Sequence, residues 1–177
     1  MAGEEAARRY AQAAFAIAVE AGAIPQWRSD LDDIAVVLAE SEAGMVLADD
    51  RIPLEKRFQV LEQLLQVSPL ALNLAKLLVS KGRAPAARGV AQAFEVMADE
   101  HEGIAKAHLT TAVDLAPGQV TAIEQKLSTA LGKRVQATTS VDPNLVGGIV
   151  LRVGDQLVDG SVRTRLRRLQ QHLAARA

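Results

Sequence analysis

Four arginines within six positions, Arg163, Arg165, Arg167 and Arg168, are the densest concentration of chemistry in this 177-residue chain. A guanidinium group grips carboxylates and phosphates through parallel N–H donors. Arg163 and Arg165 fall in the first turn of a helix predicted to begin after Ser161. There the helix dipole presents partial positive charge and costs each exposed arginine about 0.3–1 kcal/mol. Two readings follow from the residues alone: a partner supplies negative charge, or the arginines form a solvated face at a small penalty. The other reactive residue types do not gather into a site. His101, His108 and His172 belong to different predicted elements and lack the spacing of a general base or metal set. No serine occupies a nucleophile elbow. There is no cysteine, hence no disulfide, thiolate metal site or thiol nucleophile. Gly147, Gly148 and Gly154 precede and terminate a strand, whereas phosphate loops lead from a strand into a helix N-terminus. Catalysis, nucleotide binding, metals and cofactors are therefore not expected.

The arginine helix is positioned by the stretch just before it. Ile149 to Val153 is rich in β-branched residues and reads as a strand. Gly154-Asp155 is a turn signal, and Gln156-Leu157-Val158 returns as a second strand. Ser161 is placed to cap the terminal helix. That helix has Val162, Leu166, Leu169 and Leu173 as its expected core stripe.

Upstream, the pattern is helical as far as about residue 102. A first helix, about 4–21, has Ala7, Tyr10, Ala14, Ile17 and Ala21 on one face, and Phe15 and Val19 on another, with Ala11 and Ala18 between. Pro25 opens a second helix with a Trp27, Leu31, Ile34, Leu38 stripe, where Trp27 is expected as a core anchor and Asp30, Asp32 and Asp33 to face water or the early turns. A short helix or irregular turn surrounds Gly44, and the next helix presents Leu54, Phe58, Leu61 and Leu65. Ser68-Pro69 opens a helix, Leu70 to Ser80, that is apolar nearly all round apart from Asn73, Lys76 and Ser80. Such a helix is either fully buried or shared with a partner. A sixth helix runs to about Glu102. The period then changes to alternation, giving β-α-β-β-β-α. The expected fold is α+β: a six-helix bundle over 1–104, then a small α/β domain over 105–177 with a hairpin and a terminal helix.

Composition fits this division. Hydrophobic residues make up 49% and aromatics only 3%, so the core must be built from small aliphatics. Residues 1–105 hold 10 Lys+Arg against 16 Asp+Glu, whereas residues 106–177 hold 10 against 5. That asymmetry suggests two modules with different partners. No apolar run approaches the roughly 20 residues of a membrane span. The N-terminus shows no leader pattern, so a chain kept in a bacterial-type cytoplasm is expected. A competing reading, a nucleic-acid-binding module using the arginine helix, is opposed by the slight net acidity and the scarcity of aromatics.

Asp142-Pro143, Gly147-Gly148-Ile149, Arg152, Gly154-Asp155 and Asp159-Gly160-Ser161-Val162-Arg163 together resemble the C-terminal signature of the delta subunit of bacterial F-type ATP synthase, the family of mitochondrial oligomycin-sensitivity-conferring protein. Arg9-Tyr10-Ala11-Gln12-Ala13 with Phe15 is similar to that family's N-terminal motif. Leu77-Leu78, followed by Lys81-Gly82-Arg83 and Phe94, resembles its fifth-to-sixth helix junction, with Lys81 where asparagine is common. The resemblance implies a non-catalytic stator subunit. It would join the alpha/beta head to the membrane-anchored b subunits and resist rotor torque during proton- or sodium-driven ATP synthesis. It also implies that the first and fifth helices grip the N-terminal helix of alpha, for which the candidates here are Tyr10, Ala14, Ile17, Leu74, Leu77 and Leu78. The C-terminal domain would meet the C-terminal ends of b, with Arg163, Arg165, Arg167 and Arg168 as candidates. Peripheral placement on the cytoplasmic face of the cell membrane, association with it only through the complex, and no homo-oligomer or nucleic acid complete the expectation.

Overall fold

An alanine seam holds the first helix to its neighbours. In the computed structural model, which describes residues 2–154 and 156–174 (side chains at 2, 3, 117, 168–170 and 172–174 excepted), α1 spans Ala2–Glu20 and buries Ala7, Ala11, Ala14 and Ala18. These recur at four-three-four spacing, one stripe of a 3.6-residue helix. Tyr10 and Ile17 flank the seam on one side, and Phe15 and Val19 on the other. The chain divides into two compact units, residues 1–98 and 99–177.

The first unit continues with α2 (Ile24–Ala35), which runs on through a π-helical turn, Val36–Glu40. Then come α3 (Glu42–Ala48), α4 (Leu54–Leu64), α5 (Pro69–Ser80), a 3₁₀ turn at Ala84–Ala86 and α6 (Ala87–His101). Trp27 is in the core, stacked on Phe94 at 6.4 Å, while Phe15 meets Phe94 edge-on at 5.8 Å. Gly44 is set by close approach: a Cβ there would lie 2.4 Å from the Leu38 carbonyl oxygen, so α3 can fold back on the π turn only at a glycine.

Two expectations for this unit are corrected. Asp30 does not face water. It is buried, accepting from Gln26 Nε2 at 2.8 Å and from the backbone N–H of Ser68 at 3.1 Å. Burial of a carboxylate is tolerable here because fixed donors replace its water shell. On α4, Arg57 turns inward beside Leu61 and donates to the Leu47 carbonyl at 3.3 Å, while Leu54 is exposed.

The second unit follows the predicted order: β1 (Ile104–Thr111), α7 (Pro117–Leu131), β2 (Arg134–Val141), β3 (Ile149–Val153), β4 (Gln156–Asp159) and α8 (Val162–Ala174). The sheet order is β2-β1-β3-β4. β1 and β2 are parallel, with α7 as the crossover that parallel strands require, and β3 pairs antiparallel with β1 and β4. Alternation places Ala107 and Leu109 in the core and Lys106 and His108 outside. α7 also protects the β2 edge. Ser128 Oγ accepts the Val135 N–H at 2.9 Å, and Glu124 Oε1 accepts that of Ala137 at 2.8 Å, so two outward donors of an edge strand are paired. The stripe expected as the core of α8 is a third correction. Val162 and Leu166 are exposed, and the side chains of Leu169 and Leu173 lie outside the described residues.

Candidate functional site: two partner-binding surfaces

α5 has two apolar faces, not one. Ala71, Ala75, Leu78 and Val79 are buried, while Leu70 and Leu77 are exposed and Leu74 is half-buried. The outer three recur at i, i+4 and i+7, the anchor spacing by which helices are read in grooves. Lys76 does not simply face solvent either. Its Nζ reaches Glu62 Oε1 at 2.5 Å and lies 5.7 Å from the Phe58 ring centroid, so the cation ties α5 to α4.

Of the six candidates on this unit, Tyr10 and Leu74 are half-buried, Ile17 is 39% exposed and Leu77 is 42% exposed. Ala14 and Leu78 are core residues. They are corrected from contact residues to supports, because their rows on α1 and α5 are already covered by other helices of the bundle. Arg83, just beyond α5, was not among the candidates. Its Nη1 donates to the Tyr10 hydroxyl at 3.0 Å, and its guanidinium carbon lies 5.7 Å from the Tyr10 ring centroid. This contact ties the exposed flank of α1 to the end of α5. Lys81-Gly82-Arg83 was legible as a motif, but its reach across 73 residues was not.

In the second unit, the signature residues build the start of α8. Gly148 has φ +88, and a Cβ there would stand 2.5 Å from the Gly160 carbonyl oxygen and 2.9 Å from Ser161 Cα. A glycine is therefore needed for backbone to pack on backbone. The Val162 N–H donates to Gly147 O at 2.9 Å, and the Gly160 N–H to Ile149 O at 3.0 Å. Asp159 accepts from the Ser161 N–H at 2.8 Å and from Thr164 Oγ1 at 2.7 Å, while Ser161 Oγ caps the Thr164 N–H at 3.2 Å. The helix that this knuckle launches has Arg163, Arg165 and Arg167 exposed, and the side chain of Arg168 lies outside the described residues. Among the described residues, no carboxylate forms an ion pair with Arg163, Arg165 or Arg167.

His108 and Asp49 have structural partners, and the side chain of His172 lies outside the described residues. His108 Nδ1 lies 2.9 Å from Thr138 Oγ1 and its Nε2 lies 2.9 Å from Ser140 Oγ, which makes it a cross-strand link between β1 and β2. Asp49 is held down to about 2, chiefly by hydrogen bonds from the Arg51 side chain. Among the described residues, no group of three His, Cys, Asp or Glu is arranged to hold a metal, and no helix is long and apolar enough to cross a membrane.

Residues 6–173 match the family described as ATP synthase delta (OSCP) subunit. The chain belongs to that family. It is 40% identical over 171 residues to ATP synthase subunit delta of Symbiobacterium thermophilum, a match covering 94% of this chain and 91% of the relative. It is 35% identical over 171 residues to that of Geobacter sp. (strain M21), covering 94% and 95%. A chain in the cryo-EM structure of the Toxoplasma gondii mitochondrial ATP synthase hexamer superposes with a TM-score of 0.70 at 26% identity, covering 95% of this chain and 97% of that one. The family's chains are subunits of the ATP synthase peripheral stalk, and this one is such a subunit of a membrane-associated complex. These likenesses give no support to a nucleic-acid-binding module.

Proposed function

We propose that this chain is a non-catalytic coupling between the alpha/beta head and the b subunits, with one unit assigned to each. The 1–104 part binds the N-terminal helix of alpha along the exposed flanks of α1 and α5, through Tyr10, Ile17, Leu74 and Leu77, with Leu70 added from its exposure. The 105–177 part meets the C-terminal ends of b through the basic face of α8, at Arg163, Arg165, Arg167 and Arg168. No bond is made or broken. The work is mechanical: holding the head still while the rotor turns, at the cytoplasmic face of the membrane, with the membrane contacted only through the complex. The observation that carries this reading is the pair of incomplete surfaces: an outward leucine row on one unit and, on the other, Arg163, Arg165 and Arg167 exposed and without an ion pair among the described residues. Two moderate contacts in one assembly act at high effective concentration, so neither has to be tight alone.

The test is titration of the full chain with a peptide of the alpha N-terminus and, separately, with the soluble part of b, followed by amide spectra. The alpha peptide is expected to shift α1 and α5 resonances, and Arg163→Glu with Arg165→Glu to weaken b alone. Absence of binding at high micromolar peptide removes the groove. Equal loss of both contacts removes the division of labour.

A further inference from the structure

The apolar stripe of α8 has the spacing of a helix-pairing seam. Val162, Leu166, Leu169 and Leu173 recur at four-three-four, the interval of the two inward positions of a heptad. At about 100° per residue these four span an arc of only about 60°. Arg163 and Arg165 fall immediately to either side of it, at the two positions that flank a heptad seam and select its partner. No Asp or Glu occurs in 162–174. The described part of the seam is open, with Val162 38% and Leu166 54% exposed. The helix is instead anchored at its start, by the Gly147 carbonyl and by Asp159 and Ser161.

We infer that α8 pairs lengthwise with one amphipathic helix whose own apolar seam is flanked by Glu or Asp. This rests on the reading that the second unit meets b, and it specifies the chemistry and geometry of the contact. A narrow stripe repeating every 3.5 residues is matched by a partner of the same period. Binding to a lipid surface scales with the apolar area buried in it, of which a stripe only about 60° wide offers little. An extended strand has a period of two and meets alternate residues, not the third and fourth. Carboxylates beside Arg163 and Arg165 also offset the positive end of the α8 dipole, where these arginines otherwise sit unfavourably.

The test uses the full chain and the soluble part of b, with affinity measured at about 50 mM and about 500 mM salt, where screening of exposed charges differs strongly. Arg163→Glu with Arg165→Glu is expected to weaken binding at least tenfold at low salt, with the gap narrowing at high salt. Leu166→Ser, at an exposed position, is expected to weaken it at least tenfold at both. Lys133→Glu, outside α8, is expected to change nothing. Amide spectra of β1 to β3 establish that each variant keeps its sheet. Wild-type affinity in both α8 variants overturns the seam and leaves the stator role standing, whereas failure of the unaltered chain to bind b overturns that role itself. Capture by vesicles containing anionic phospholipid, without capture by b, overturns the helix-pairing inference in favour of a membrane.

Discussion

The carboxylate of Asp30 accepts the backbone N–H of Ser68 at 3.1 Å from a position only 1% exposed. Ser68 caps α5 in turn, its Oγ accepting the Ala71 N–H at 3.4 Å, so a residue of α2 fixes where α5 begins. Asp30→Ala removes an acceptor shared by Ser68 and Gln26 and leaves the half-buried Ser68 N–H without it. Hydrogen bonds to charged groups contribute about 1.5–3 kcal/mol, and a loss in that range is expected for the first unit. Trp27, the single tryptophan, lies in that unit and reports its urea transition by fluorescence.

Gly148→Ala forces a side chain into the left-handed region and against the backbone of Gly160 and Ser161. Neither neighbour can rotate away as a flexible side chain would. A loss of about 2 kcal/mol or more is expected in the second unit. Hydrogen exchange of α8 amides should speed up, while the Trp27 transition stays in place.

Ile17→Ser with Leu77→Ser separates binding from folding. Both side chains are about two-fifths exposed, so each substitution should cost about 1–2 kcal/mol of stability and leave the unit folded. Affinity for the alpha peptide is expected to fall at least tenfold, about 1.4 kcal/mol. Unchanged affinity in titration calorimetry would falsify the assignment of this face.

Asp49 gives a pH signature. Arg51 donates to its carboxylate from Nε at 2.9 Å, from Nη2 at 2.8 Å and from its backbone N–H at 3.0 Å, and Arg57 adds a more distant positive charge. These bring the carboxyl from 3.8 to about 2. The folded value lies below the unfolded one, so the contact favours the fold above about 3.8 and that contribution is lost as pH falls toward 2. In Arg51→Gln, the carbon-13 titration of Asp49 should move back toward 3.8. A midpoint left near 2 would mean that the side-chain bond is not its main cause.

Much of this architecture was legible because it is local. The Trp27, Leu31, Ile34, Leu38 stripe, the alternation through Ala107 and Leu109, and the Ser161 cap all depend on neighbours within a few positions. Asp30 was misread because its partner lies 38 residues away and nothing near it in sequence marks an acceptor for Ser68. Lys76 belongs to the polar strip of α5, but its pairing with Glu62 and Phe58 is not legible locally, because both belong to another helix. The candidate face was half legible. Periodicity found the apolar residues of α1 and α5, but only packing separates Leu77, which looks outward, from Leu78, which the bundle encloses. The α8 stripe misled for the opposite reason: an amphipathic pattern specifies that a face will be covered, not which molecule covers it.

The buried methyls of Ala7, Ala11, Ala14 and Ala18 bear on stiffness. Longer side chains in a contact can hop between rotamers and let two helices creep past one another under shear. Alanine has no such freedom to give up, so backbones sit close and load passes from one to the next with little slack. A strut loaded by every turn of a motor is well served by a first helix that cannot slip.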